Sequence, residues 1–139
     1  MSAGDSAIGD GVAHAYSTAF DFSSGGSAEK VAVIEDGTSI DTAIDYVLSS
    51  SLAGSATGAH TQAVDLLTSS ECDRVSLSNP CTAVTYDLLG PNHMPLFSAH
   101  SHGHAVSVGG RWLVAKATAC EVLHIFYSAL GTPTKPAGC

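Results

Sequence analysis

Basic residues are scarce in this chain: five Lys and Arg stand against thirteen Asp and Glu, for a formal net charge of −8. A surface so poor in cations repels phosphate backbones and releases few counterions, so no nucleic-acid partner is expected. Long apolar runs are missing as well. None approaches the roughly 20 residues that a membrane helix needs, so no membrane span is expected. The opening residues Met1 to Asp5 have neither the basic nor the apolar region of an export signal. There is no C-x-x-C pair, phosphate loop, dinucleotide fingerprint or Ser-His-Asp set, and no cofactor is implied.

What is present suits a single domain over residues 1–139, with 1–5 and 131–139 as terminal tails: 139 residues, 45% of them hydrophobic, carry one core of ordinary size. The acidity is uneven, because residues 1–45 hold eight acids and only Lys30 among basic residues. Four cysteines are an even number, and Cys72 and Cys81 bracket a polar loop containing Asn79 and Pro80. That arrangement predicts a Cys72–Cys81 disulfide, leaving Cys120 and Cys139 as a second pair that pins the C-terminus. Zinc is the competing use of four cysteines, but a terminal Cys is a poor ligand anchor. Disulfides place the protein outside the cytoplasm, secreted or at the cell surface, with its export signal not among these residues.

Ile8, Val12, Tyr16, Ala19 and Phe20 recur at helical spacing and predict a first helix from Ser6 to Phe22, weakened early by Gly9 and Gly11. After the breaker Ser23 to Gly26, Ser27 caps a second helix over Ala28–Glu35 that stops at Asp36-Gly37. Thr38 or Ser39 caps a third, with Ile40, Ile44, Val47 and Leu48 as its stripe and Asp41 and Asp45 solvated opposite. Strands are expected over Thr61–Thr68, Thr82–Leu89, Met94–Val108 and Arg111–Ala119, the last two joined at Gly109-Gly110. Cys120–Leu130 reads as a short terminal helix. Helices first and strands after them mean an α+β fold: three N-terminal helices on a curved, mostly antiparallel four-stranded sheet, with a short C-terminal helix.

This order of elements resembles the nuclear-transport-factor-2-like fold, the cystatin-like cone. The runs Tyr86-Asp87-Leu88, Pro95-Leu96-Phe97, Gly103-His104-Ala105-Val106 and Gly110-Arg111-Trp112-Leu113-Val114, followed by Cys120, resemble actinobacterial exported proteins related to the mycobacterial secreted low-molecular-weight antigen. The resemblance covers roughly Val12 to Cys120 and implies export and a helix-to-sheet cavity, with no established reaction. It would have Tyr16, Tyr86 and Trp112 line that cavity.

Three functional readings follow. The leading one is a non-catalytic module that binds a small apolar molecule or a protein partner, with a homodimer implied by analogy to open curved sheets. The second is an isomerase or cyclase. The ketosteroid-isomerase branch of the fold places an oxyanion-donating tyrosine on its first helix, where Tyr16 stands, and the general base would be Asp65 or Asp87. That branch's strand-borne Asp has no match at Glu35-Asp36-Gly37, and the Asp-Arg-Asp set of the epoxide-hydrolase branch has none near Arg74 or Arg111. The third reading is a metal site. His100, His102 and His104 alternate along one strand, so their imidazoles share a face. His14, His93 and His124 carry no pattern and read as ordinary surface or satisfied residues.

Overall fold

The computed structural model describes residues 3–139, so the expected tail at Met1-Ser2 lies outside the described residues. The chain runs α1 (Ala3–Ala19), α2 (Ser27–Val31), a 3-10 turn (Gly37–Ile40), α3 (Asp41–Leu48), β1 (Gly58–Leu66), α4 (Ser69–Arg74), β2 (Cys81–Leu89), β3 (Ser101–Val108), β4 (Arg111–Val114) and α5 (Lys116–Ala129). Short 3-10 turns also occur at Ala53–Ser55 and Pro91–His93. The strands form one antiparallel sheet in the order β1-β2-β3-β4. The α+β architecture is as the sequence predicts, with a curled sheet, five helices rather than four, and shifted boundaries.

The stripe of α1 is buried against the sheet: Val12, Ala15, Tyr16 and Ala19, then Phe20 just beyond its end, lose nearly all exposure. Burying a large apolar side chain of this kind stabilises by about 1.5–3 kcal/mol. Asp21 then turns the chain by accepting from Ser23 N at 3.1 Å, Ser23 Oγ at 2.6 Å and Ser24 Oγ at 2.9 Å. Alternation on β2 sends Val84, Tyr86 and Leu88 into this core. α3 adds Ala43, Ile44 and Val47, and α5 adds Val122, Leu123, Phe126 and Tyr127.

A second, smaller core lies on the opposite face of the sheet, where Cys72, Cys81 and Val106 are fully buried among Leu67, Leu77 and Leu113. Its lid is α4, a helix at the start of the polar segment that Cys72 and Cys81 bracket. The signal for α4 is there: Thr68 Oγ1 accepts from Glu71 N at 3.2 Å while Glu71 Oε1 accepts from Thr68 N at 3.0 Å, a reciprocal capping box. Both expected disulfides form, Cys72–Cys81 with Cα atoms 6.0 Å apart and Cys120–Cys139 with 5.7 Å. Such bonds fit an oxidising setting. No helix among the described residues is long and apolar enough to cross a membrane.

Several boundaries move for tertiary reasons. α2 ends at Val31 rather than Glu35 because the next residues pair with β4: Val114 N donates to Val33 O and Glu35 N to Val114 O, both at 2.8 Å. β4 ends at Val114 and α5 starts at Lys116, four residues ahead of Cys120. The cap is remote, since Glu35 Oε1 accepts from Lys116 N at 3.1 Å. β3 begins only at Ser101, because Met94 to His100 form an exposed loop tied to Leu88 and Leu89. β1 opens at Gly58, because Ala59 fits the core. Residues 3–5 are helical rather than tail. The tail at 131–139 is anchored too, with Pro136 buried beside the Cys120–Cys139 bridge. Asp41, expected to be solvated, keeps Oδ1 buried without a hydrogen-bond partner.

Candidate functional sites

The three residues assigned to an internal cavity meet different fates. Tyr16 is fully buried, its ring 4.9 Å from Tyr86 and 5.6 Å from Phe20, so aromatic packing fills the space beneath α1. Burial, reinforced by Tyr86, pushes the Tyr16 hydroxyl far above its ordinary range, and burial lifts that of Tyr86 to about 12. Both remain neutral donors. The Tyr16 hydroxyl is already committed, donating to His104 O at 2.7 Å. Trp112 is half-buried and leans on α1 at Gly11, where an added Cβ would lie 3.2 Å from Cδ1 of the indole.

The carboxylates proposed as partners of Tyr16 are not beside it. Tyr86 points into the core, so its neighbour Asp87 points to the other face of the sheet. Asp65, opposite Ala83, is exposed on β1. The tyrosine, the two aspartates and a common reacting atom therefore do not form one site. The cause of their separation is the period of two along β2.

On the outer face a different grouping forms. Asp87, only 7% exposed, accepts from the Nδ1–H of His100 at 2.7 Å and from Gln62 Nε2 at 3.0 Å. Gln62 reaches it from a bulge, where the register of β1 on β2 slips between Thr61 and Ala63. His60 lies directly across from Asp87. The His100 hydrogen bond, helped by Gln62 and the two imidazoles, holds the Asp87 carboxyl below the usual carboxylate range against the opposing effect of burial.

A pH dependence follows. A depressed native pKa stabilises the fold above the unfolded carboxylate value of about 3.9, and that contribution disappears as pH falls through the lower native value. Asp87→Asn should therefore lower the urea midpoint at pH 5 and above, with the difference from wild type closing below about pH 4. A gap that persists at pH 2.5 would assign the loss to packing instead.

His102 and His104 share this outer face with His100, since the intervening Gly103 is buried against the core and the β2–β3 register runs unbroken through it. Gly103 carries no bulge, and the register shift lies in β1 at Gln62. The three imidazoles do not converge: among the described residues no three His, Cys, Asp or Glu side chains are grouped as a metal ion requires. Same-face positions on a strand are about 6.5–7 Å apart, and the His100 ring is engaged by Asp87.

An apolar concavity lies along α5. Ala117, Cys120, Glu121, His124 and Ile125 occupy one stripe of α5, and Lys135, Pro136 and Cys139 of the tail face them across a cleft of about 520 Å³. The i, i+3, i+4, i+7 spacing of this stripe was legible. Its partner was not, because the tail has no periodicity and is brought there by the disulfide and by contacts with residues distant in the chain. A smaller cleft of about 310 Å³, lined by Thr42, Tyr46, Tyr127, Thr132 and Thr134, flanks the same tail.

Comparison with protein-family models, curated proteins and solved structures returned no match.

Proposed function

We propose that this protein is an exported binding module that performs no chemistry and holds a small apolar molecule between α5 and the C-terminal tail. One observation carries the reading: the cleft of about 520 Å³ lined by the stripe of α5 and the tail. Its volume falls in the range of about 300–1,000 Å³ typical of ligand sites. Ile125, large and exposed on the wall, supplies apolar contact, and Glu121, His124 and Lys135 supply a polar rim. The two disulfides support export, and they and the order of elements support the likeness to the antigen-like exported group. The packed state of Tyr16 moves the ligand from the interior of the cone to this outer cleft.

The test is a thermal-shift screen of the oxidised protein against fatty acids, terpenoids, steroids and polyketide-like aromatics, since a ligand that binds only the folded state raises its midpoint. One chemical class should give a saturable shift, and Ile125→Asp should abolish it. Cys139→Ser should weaken it by freeing the tail. A shift that survives Ile125→Asp at full size would place the ligand elsewhere and defeat the proposal.

A further inference from the structure

The C-terminal tail separates two clefts of opposite chemistry. On one side Lys135, Pro136 and Cys139 face the apolar stripe of α5, and on the other Thr132 and Thr134 line the cleft of about 310 Å³ together with Thr42, Tyr46 and Tyr127. No Asp, Glu, Lys, Arg or His is among the lining residues of this second cleft. Its chemistry is set by hydroxyls and aromatic rings.

Three elements supply these side chains. Thr42 and Tyr46 stand four residues apart on α3 and so lie on one face, one turn above the other. Tyr127 comes from α5, and its ring meets that of Tyr46 edge to face with centroids 4.7 Å apart. Thr132 N donates to Tyr127 O at 2.9 Å, and the hydroxyls of Tyr46 and Thr132 bond to each other at 2.5 Å, which fastens the tail to both helices at the cleft. The Cys120–Cys139 bridge holds its far end. Walls fixed in this way lose little further freedom when a ligand arrives.

The lining discriminates among ligand classes. An anion finds no cation there, and a cation finds no carboxylate. Among the described residues the one side-chain hydrogen bond within the cleft joins Tyr46 to Thr132, which leaves the hydroxyls of Thr42, Tyr127 and Thr134 to water or a ligand. An apolar ligand would strip their water and return no bond. A neutral polyol returns it, because a hydroxyl both donates and accepts and pairs with another hydroxyl in either sense. Tyr46, 39% exposed, adds an apolar ring face with a polar tip, the complement of a sugar ring's C–H face and hydroxyl edge.

We infer that this cleft binds a neutral sugar, with one ring lying on Tyr46 and its hydroxyls bonded to Thr42, Tyr127 and Thr134. The volume stands at the small end of the range of about 300–1,000 Å³ for ligand sites, which suits one or two sugar rings.

The test is an NMR titration of the oxidised full chain, following backbone amides, with glucose, galactose, mannose, N-acetylglucosamine and trehalose, and with glucuronate as the charged counterpart. One neutral sugar should give saturable shifts confined to α3, the end of α5 and Thr132 to Thr134, with a Kd below about 10 mM. Glucuronate should bind at least roughly tenfold more weakly, its carboxylate unpaired. Thr42→Val/Thr134→Val keeps the shape and removes two hydroxyls, so it should weaken the sugar by about tenfold with Tm unchanged. Ile125→Asp, which strikes the apolar cleft beside α5, should leave sugar binding intact, so this inference and the ligand proposal fail separately. No saturable shift from any neutral sugar by about 20 mM, equal binding of glucuronate, or undiminished affinity in the threonine pair would overturn it.

Discussion

Cys72→Ala/Cys81→Ala should lose about 3–4 kcal/mol of unfolding free energy, measured by urea denaturation under non-reducing conditions. The bond closes a loop of sequence separation 9, which the chain-entropy description values at about 2.5–3 kcal/mol. The rest comes from packing, because both sulfurs are fully buried in the small core with Val106, and truncating them leaves unfilled space under α4. Loop length alone would rank Cys120–Cys139 higher, its separation being 19. Burial ranks them the other way. Cys139 is exposed, so removing its sulfur leaves less unfilled space and Cys120→Ala/Cys139→Ala should cost less. An equal or larger loss from the second pair would show that the small core adds nothing beyond loop closure.

Gly103→Ala should destabilise by about 2–3 kcal/mol, roughly a 10 °C fall in Tm for a domain of this size. The position is where α1, α5 and β3 meet. A Cβ there would lie 2.5 Å from Thr118 Cγ2 and 2.8 Å from the Tyr16 hydroxyl. Neither neighbour is free to yield. Tyr16 donates to His104 O, Thr118 Oγ1 accepts from His104 N at 3.0 Å, and Ala115 N adds a third bond to His104 O at 3.0 Å. The methyl group must displace a helix or break one of these buried bonds. Gly54→Ala, which meets open space, is the matched control and should leave Tm unchanged. A Gly103→Ala protein with wild-type Tm would mean that α5 shifts freely over the sheet.

The local elements were largely legible because their signals are local. The α1 stripe from Val12 to Phe20 and the hairpin at Gly109-Gly110, whose φ values are +59° and +81°, need only neighbours in sequence. The capping box at Thr68 and Glu71 was equally local and marked a helix that composition concealed. The sites were less legible. Histidines two apart correctly implied a shared face, but convergence on an ion depends on cross-strand neighbours, and the one that matters is Asp87.

The α+β order of elements, the pairing of Cys72 with Cys81 and of Cys120 with Cys139, and the acidic balance are written along the chain, because periodicity, turn chemistry and composition act over a few residues. The donation of the Tyr16 hydroxyl to His104 O, the turning of Asp87 away from it toward His100, and the open cleft between the tail and α5 arise in the folded chain alone. Each of these joins residues distant in the chain. Which groups meet there is set by sheet register and by core packing, and neither is written in any single segment.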